Sequence, residues 1–138
     1  MDLRRLTSQL AVAAQLVPSD VRAAAAAGYT TLICNRPDGE QPGQPDHEAM
    51  AQAAAAAGMR FVFQPVITGR ITPEQARAFG ETLAQADGPV LAYCRSGTRC
   101  ATLWAMSQGA ERPWAEVVTT AANAGFDLRG LPPPAGRN

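Results

Sequence analysis

The sequence between residues 90 and 99 reads Val90-Leu91-Ala92-Tyr93-Cys94-Arg95-Ser96-Gly97-Thr98-Arg99. Its first four residues form a short apolar run that is typical of a buried strand, and a helical pattern begins at Thr98. Cys94 is therefore predicted at the carboxyl end of a strand, directly before a helix. Because open α/β sheets bind ligands at this end of their strands, the stretch also predicts where the functional site lies.

The rest of the chain repeats this alternation of short apolar runs and alanine-rich helical stretches. Further strands are predicted at 10–17, 30–35 and 60–66. Helices are predicted at 46–57, 72–86, 98–108 and 113–124, and a first helix from its N-terminal cap to residue 27. The predicted N-terminal caps are Ser19 or Asp20, Asp46 and Thr72, and a loop rich in Pro and Gly lies at 36–45. Strands separated by helices of this length favour a parallel sheet covered by helices.

We therefore expect one α/β domain over residues 1–138, with a mainly parallel sheet of four to five strands flanked by helices. Its core is predicted at about 5–125, followed by a tail at 126–138 whose Leu-Pro-Pro-Pro stretch is extended or mobile.

Composition argues against several classes of function. Twelve basic residues balance twelve acidic ones, which argues against nucleic acid or an anionic membrane as a partner. All twelve basic residues are arginine, so a lysine Schiff base is excluded. With a single histidine, His47, and no Cys-x-x-Cys pair, we expect no metal site, and no cofactor motif is present. The absence of a signal peptide and of a run of about 18 apolar residues predicts a cytoplasmic protein.

The loop between the strand and the helix is suited to activating a cysteine. A helix N-terminus attracts anions through its unpaired N–H groups and partial positive charge. Ser96 and Gly97 permit a tight turn whose amides face inward. Arg95 and Arg99 add two full charges, and Arg99 can donate two hydrogen bonds to one oxyanion. All of these lower the pKa of a thiol, so Cys94 is predicted to be a nucleophilic thiolate.

Four residues separate Cys94 from Arg99, a spacing that resembles the loop of rhodanese-type sulfurtransferases; tyrosine and dual-specificity phosphatases have five. Further similar stretches lie at 15–20, 35–40, 64–66 and 89–104. On these, the chain over roughly 5–125 resembles the bacterial beta-lactamase hydrolase-like protein, phosphatase-like domain family. That resemblance implies a fold like that of tyrosine and dual-specificity phosphatases. Some relatives are fused to a persulfide dioxygenase of the metallo-β-lactamase type, which implies sulfur chemistry and a sulfur-handling partner.

Two reactions of the Cys94 thiolate remain open. A shorter loop presents fewer amides to a phosphoryl group. The segment from Pro65 to Arg70 has no acid where phosphatases of this fold carry an aspartate, and Tyr93 stands where their pattern has histidine. Sulfur transfer needs no such donor, because sulfite or a thiolate leaves as a stable anion.

The leading hypothesis is therefore a sulfurtransferase that moves sulfane sulfur from thiosulfate or a small persulfide, through a Cys94 persulfide, to a thiol acceptor. A phosphatase with a phosphocysteine intermediate is the alternative, and a non-catalytic anion-binding module is the second alternative. In each case the partner is a small sulfur- or phosphorus-containing anion.

Five other residues are candidates for the site. Asp38 could act as a displaced general acid, or brace the turn in which it lies. Arg36 could pair with Asp38 or reach the substrate anion. Ser96 or Thr98 could donate a hydroxyl to the nucleophile. Cys100 could bond to that sulfur, act as a resolving thiol, or be a small buried helix residue.

Overall fold

The computed structural model describes residues 1–108 and 111–134, and within these ranges five strands and five helices form one sheet with helices on both faces. The strands are β1 (Arg4–Arg5), β2 (Leu10–Ala13), β3 (Thr31–Cys34), β4 (Arg60–Phe63) and β5 (Val90–Tyr93). The helices are α1 (Pro18–Ala26), α2 (His47–Ala56), α3 (Pro73–Gln85), α4 (Thr98–Ser107) and α5 (Trp114–Asn123). None of the helices in the described ranges is both long and apolar enough to cross a membrane.

The strand order is β1-β2-β5-β3-β4, in which only β1 runs antiparallel to its neighbour. The predicted α/β class and mainly parallel sheet are thus confirmed. Strand β5 lies at the centre, with Tyr93 in register with Ala13 on one side and Cys34 on the other. The carboxyl ends of three strands therefore meet at one edge of the sheet, around the loop that begins at Cys94.

Side chains of β5 alternate between two cores, as strand geometry requires. Val90 and Ala92 face the core that α3, α4 and α5 cover, whereas Leu91 and Tyr93 face the core under α1 and α2. All four are buried. Burial on both faces explains why β5 reads as a continuous apolar run instead of an alternating one.

Helix boundaries agree with the sequence at two of the three caps that it predicted. Asp46 and Thr72 accept hydrogen bonds from the backbone N–H groups three residues further on, at 2.9 and 3.2 Å. The cap predicted at Ser19 or Asp20 is wrong, because α1 begins earlier, at Pro18. Proline favours the first helical position, and the Asp20 carboxylate accepts from the N–H of Val17, at 2.9 Å.

Two strands end three or four residues before their predicted ends, β3 is one residue shorter at each end, and one strand was missed. β2 ends at Ala13 and β4 ends at Phe63, although the apolar runs continue to residues 17 and 66. Val66 is buried but outside the ladder, and its N–H donates to the Asn35 carbonyl at 3.0 Å. The pair of exposed arginines that forms β1 carries no apolar signal from which a strand could be predicted.

The core extends beyond the predicted limit at residue 125. Phe126 and Leu128 are 8% and 5% exposed and belong to the core under α3, α4 and α5. The first part of the predicted tail is therefore folded onto the domain, and residues 135–138 lie outside the described ranges.

Candidate active site

The loop from Cys94 to Gly97 connects β5 to α4 and turns sharply at its glycine. Gly97 is the N-cap of α4 and has a φ of +90°, a conformation that side chains with a Cβ rarely adopt. A Cβ at this position would also lie 3.0 Å from Cζ of Phe126. Backbone conformation and packing therefore both require glycine here, as the tight turn predicts.

The Cys94 sulfur accepts hydrogen bonds at the bottom of this loop. The Gly97 N–H donates to it at 3.1 Å. The Cys100 thiol has the largest effect in lowering the pKa of Cys94, with further contributions from the amides of Cys100, Ser96 and Arg99. Burial opposes these hydrogen bonds, and the net result is a pKa of about 5. Cys94 is therefore a thiolate at neutral pH.

Cys100 is completely buried and remains a protonated thiol. Burial and the neighbouring Cys94 sulfur raise its pKa well above the ordinary value. Cys100 is a small buried residue of α4, and its hydrogen bond to the Cys94 sulfur fits a second of the roles considered for it. A role as resolving thiol stays a prediction. The hydroxyl of Ser96 instead donates to Oγ1 of Thr98, at 3.1 Å. Both hydroxyls lie at the exposed rim of the loop, beside the exposed Arg95.

Arg99 is held in one orientation by three hydrogen bonds. Its Nη1 donates to Oε2 of Glu40 and to the carbonyl oxygen of Val66, both at 2.9 Å, and its Nη2 donates to Oε1 of Glu40 at 2.7 Å. The pair also lowers the pKa of Glu40 to about 2, chiefly through the hydrogen bond from Arg99. Because a guanidinium has five N–H donors, the Nε donor and one Nη2 donor, on a shared edge, have no acceptor among the described residues.

Arg36 is fully buried and organises the same carboxylate from the other side. Its Nε donates to Oε1 of Glu40 at 2.8 Å, and its two terminal nitrogens donate to Gln15 and Gln41 at 3.1 and 3.0 Å. Arg36 pairs with Glu40, so the predicted pairing with Asp38 is wrong for this structure. That Arg36 reaches the substrate anion stays a prediction.

Asp38 binds the start of α2. Its two carboxylate oxygens contact the backbone N–H and the ring Nδ1 of His47, at 2.8 and 2.5 Å. The His47 ring in turn stacks on Phe63, with centroids 3.9 Å apart. These contacts fit the bracing role considered for Asp38 rather than a role as general acid.

A cavity of about 830 Å³ lies beside the loop. Arg95, Ser96, Thr98 and Arg99 line one end of it, and neutral residues line the remainder. Among the described residues that line it, none has a carboxylate, imidazole or thiol side chain; they are Thr68, Gly69, Ile71, Arg95, Ser96, Thr98, Arg99, Thr102, Met106, Leu131, Pro132, Pro133 and Pro134. Cys94 itself has no exposed surface and lies beneath the loop residues.

Glu40 is the residue of this site that sequence reasoning missed. It lies in the stretch on which the family resemblance depends, but no role was assigned to it. A partial signal was available, because a guanidinium that becomes buried beside a strand end requires a carboxylate or several carbonyl partners. The loop at 36–45 offers two acids, Asp38 and Glu40, of which Asp38 was the candidate because it lies nearer to the end of a predicted strand.

Comparison with known proteins identifies the family. A family model described as beta-lactamase hydrolase-like protein, phosphatase-like domain, matches residues 2–111. The chain belongs to this family. A beta-lactamase hydrolase-like protein of Agrobacterium fabrum is 41% identical over 104 residues, which are 75% of this chain and 24% of the relative. The chain thus spans about a quarter of the length of that curated relative.

Solved structures agree on the fold. A protein of Neisseria meningitidis that was provisionally assigned as a phosphatase is 38% identical, with a TM-score of 0.85 over 95% of this chain and 94% of that chain. TpbA of P. aeruginosa, solved as a cysteine-to-serine variant in complex with pTyr, is 19% identical, with a TM-score of 0.66 over 91% of this chain and 75% of that one. The domain therefore has a phosphatase-like enzyme fold of the tyrosine and dual-specificity type, as the resemblance implied.

Proposed function

We propose that this domain is a cysteine-dependent phosphatase that forms a phosphocysteine on Cys94. The observation that carries the proposal is a thiolate with a pKa of about 5 beneath an amide-lined loop that ends in a held arginine. Its family description and the phosphatase names of its structural neighbours support this order. They favour the phosphatase over the sulfurtransferase that the sequence had favoured.

The chemistry takes two steps. The Cys94 sulfur attacks the phosphorus of a monoester, so that an S–P bond forms while the ester O–P bond breaks and the alcohol oxygen leaves with its electron pair. The Arg99 edge that bears the Nε donor and one Nη2 donor binds two equatorial oxygens of the transferring group. Water then attacks phosphorus, releases inorganic phosphate and regenerates the thiolate.

The proposed substrate has an acidic leaving group. No described residue that lines the cavity has a side chain that could protonate a leaving alkoxide near neutral pH. Glu40 approaches the site but stays ionised, because its pKa is about 2. Phenolate-type leaving groups depart without a proton, so aryl esters are expected to react and simple alkyl esters are not.

Sulfur transfer is the second candidate, and the lack of a proton donor among the described lining residues is the observation that favours it. Sulfite or a thiolate leaves as an anion, so attack of Cys94 on a sulfane sulfur would need no acid. Under this reading the substrate is a thiosulfate- or persulfide-type anion, the product is a Cys94 persulfide, and a persulfide dioxygenase is a suitable partner.

Mass spectrometry of the intact protein separates the two reactions. The protein is incubated with p-nitrophenyl phosphate or with thiosulfate and then quenched in acid. A phosphatase is expected to show aryl phosphate turnover and a phosphoryl adduct on Cys94, both lost in Cys94→Ser. A sulfur adduct together with cyanide-dependent turnover, and no phosphoryl adduct, would replace the phosphatase by the sulfurtransferase. Absence of both adducts and of turnover would leave an anion-binding module.

Cys34→Ala is the matched control for this experiment. Cys34 is also a buried cysteine at a strand end, but its thiol donates to the Arg36 carbonyl, at 3.3 Å, and burial raises its pKa. Its removal should leave both the adduct and the turnover in place.

A further inference from the structure

The cavity beside the catalytic loop is much larger than the reacting anion. At about 830 Å³ it is within the size range of sites for drug-sized molecules, which is roughly 300–1,000 Å³. Phosphate or thiosulfate would occupy only the end that Arg95 and Arg99 line. The remaining volume must therefore be filled by another part of the substrate, or by water.

The part of this cavity away from the loop is uncharged, because Thr98, Thr102 and Met106 follow one face of α4 and Met106 lies about two turns beyond the start of that helix. We call it the apolar wall and define it as Ile71, Met106 and the segment 131–134, whose sequence is Leu-Pro-Pro-Pro. Ile71, Met106 and Leu131 are half-buried and pack against the core, so their positions are supported from beneath. Arg95 and Arg99, at the loop and the start of α4, are the charged residues of the described lining, so charge is confined to the part of the cavity beside the loop.

The C-terminal part of this wall lies outside the stretch that defines the family. The family match ends at residue 111, whereas the wall uses residues 131–134. The segment is nevertheless joined to the loop: the Leu131 N–H donates to the Leu128 carbonyl at 3.0 Å, and Leu128 shares a core with Phe126, whose ring lies against Gly97. Ile71 and Met106 of the wall therefore lie within the family match, and its C-terminal segment lies outside it while packing onto the same core.

We infer that the substrate of this domain is an amphiphilic small molecule, whose anionic head binds the Cys94 loop while a bulky uncharged apolar body lies on the apolar wall. The inference rests on the proposed function for the chemistry at the head, but the preference for an apolar body is a property of binding. Polar or zwitterionic bodies are disfavoured, because they would lose hydration without gaining hydrogen bonds from methionine, leucine, isoleucine and proline side chains.

The segment 131–134 is accordingly a specificity-determining element. Proline is already conformationally restricted, so a wall of prolines loses little entropy when a ligand covers it. Met106 adds a polarizable thioether that packs well against aromatic rings. A flat aromatic body such as naphthyl fits these surfaces.

Calorimetry on Cys94→Ser, in which no turnover interferes, tests the inference with three probes: 1-naphthyl phosphate, phosphoserine and inorganic phosphate. Naphthyl phosphate is expected to bind at least about tenfold more tightly than either of the others, as burial of an aromatic ring predicts. Equal affinities for the three probes, or tighter binding of phosphoserine, would overturn the inference.

Variants in the Cys94→Ser background locate the preference. Leu131→Ser should weaken the binding of naphthyl phosphate by roughly fivefold to tenfold and leave the affinity for inorganic phosphate unchanged. Ile67→Ser is the matched control, because Ile67 is 55% exposed and does not line the cavity. Thr102→Phe fills the cavity from α4 and should exclude naphthyl phosphate while inorganic phosphate still binds. Unchanged naphthyl binding in Thr102→Phe would contradict the assignment even if Leu131→Ser failed to fold.

The two proposals fail in different ways. If naphthyl phosphate binds preferentially but the unsubstituted protein transfers no phosphoryl group, the phosphatase proposal is wrong and the inference of an apolar substrate body stands. If the protein transfers a phosphoryl group but binds 1-naphthyl phosphate and phosphoserine equally well, the phosphatase proposal stands and the apolar wall does not determine specificity. Failure of all three probes to bind would overturn both.

Discussion

At the scale of single residues, Cys100 has the largest effect on the ionisation of Cys94. Its thiol makes the hydrogen bond that most lowers the pKa of Cys94 to about 5. Replacing it with alanine should raise that pKa, because burial then acts with less opposition. Iodoacetamide alkylation, followed against pH by mass spectrometry, should have its midpoint near pH 5 in the parent protein and at higher pH in Cys100→Ala.

The conservative variant separates a hydrogen-bonding role from packing. Cys100→Ser keeps a donor of similar size, so its alkylation midpoint should stay close to that of the parent. If alanine and serine shifted the midpoint equally, the hydrogen bond would not be the cause. Reactivity in the parent should fall as pH drops below about 5, because the thiolate is then protonated.

The same pair of cysteines predicts a defined oxidation product. The Cys94 thiolate attacks a peroxide oxygen, forming a sulfenic acid and releasing hydroxide; the Cys100 thiol then condenses with it, forming a disulfide and water. We expect peroxide to yield a Cys94–Cys100 disulfide that dithiothreitol reverses, detected by peptide mapping. Cys100→Ala should instead accumulate irreversibly overoxidised Cys94. Sulfinic acid on Cys94 of the parent, without a bridge, would show that Cys100 does not resolve it.

At the scale of elements, the loop from 36 to 45 supports Arg99. Glu40 joins the buried Arg36 to Arg99. Glu40→Gln should therefore lower the free energy of unfolding by about 1–3 kcal/mol, since two arginines lose a charged acceptor, and it should weaken anion binding as Arg99 loses its orientation. Urea titration and phosphate calorimetry measure the two effects.

Glu48→Gln on the exposed side of α2 is the matched control for the Glu40 variant and should change neither quantity. The sign of the pH dependence follows from the lowered pKa of Glu40. Its contribution to stability is present in full above the ordinary carboxylate range, and is lost as pH falls toward about 2. An unchanged anion affinity in Glu40→Gln would contradict the supporting role.

The turn at Gly97 is the second element on which the site depends. Gly97→Ala should destabilise the domain by about 1–3 kcal/mol and slow the alkylation of Cys94 near neutral pH, because a positive φ and the Phe126 ring both oppose a Cβ. Gly130→Ala is the control, since a Cβ there meets nothing within 4 Å. Equal thermal stability and equal alkylation in the two variants would refute this dependence.

At the scale of the whole molecule, the sequence predicted what depends on local chemistry. Strand β5 and the start of α4 were predicted to the residue, because an apolar run and a glycine turn specify them. The end of β4 was not predicted correctly. Val66 is buried outside the strand ladder, where its N–H donates to the Asn35 carbonyl, and hydrophobicity alone does not distinguish such a residue from one in a strand.

The site residues that were missed depend on distant parts of the chain. Glu40 and Arg99 form an ion pair although they are 59 positions apart in the sequence, and the residues around each of them do not identify its partner. Phe126 was predicted to lie in a tail, yet its ring packs so closely against the turn at Gly97 that no side chain fits there. Pairings of this kind follow from the order of the strands, which places the loop after β3 beside the loop after β5.

The central place of β5 has a consequence for how the enzyme loses activity. Parallel partners pair with β5 along both edges, and helices cover both of its faces. Its amides should therefore exchange with deuterium only when the whole domain opens, and they should be the slowest in the chain. Cys94, the proposed nucleophile, directly follows that strand, so thermal inactivation should coincide with global melting. Inactivation well below the melting temperature, with β5 still protected, would show that the loop frays independently.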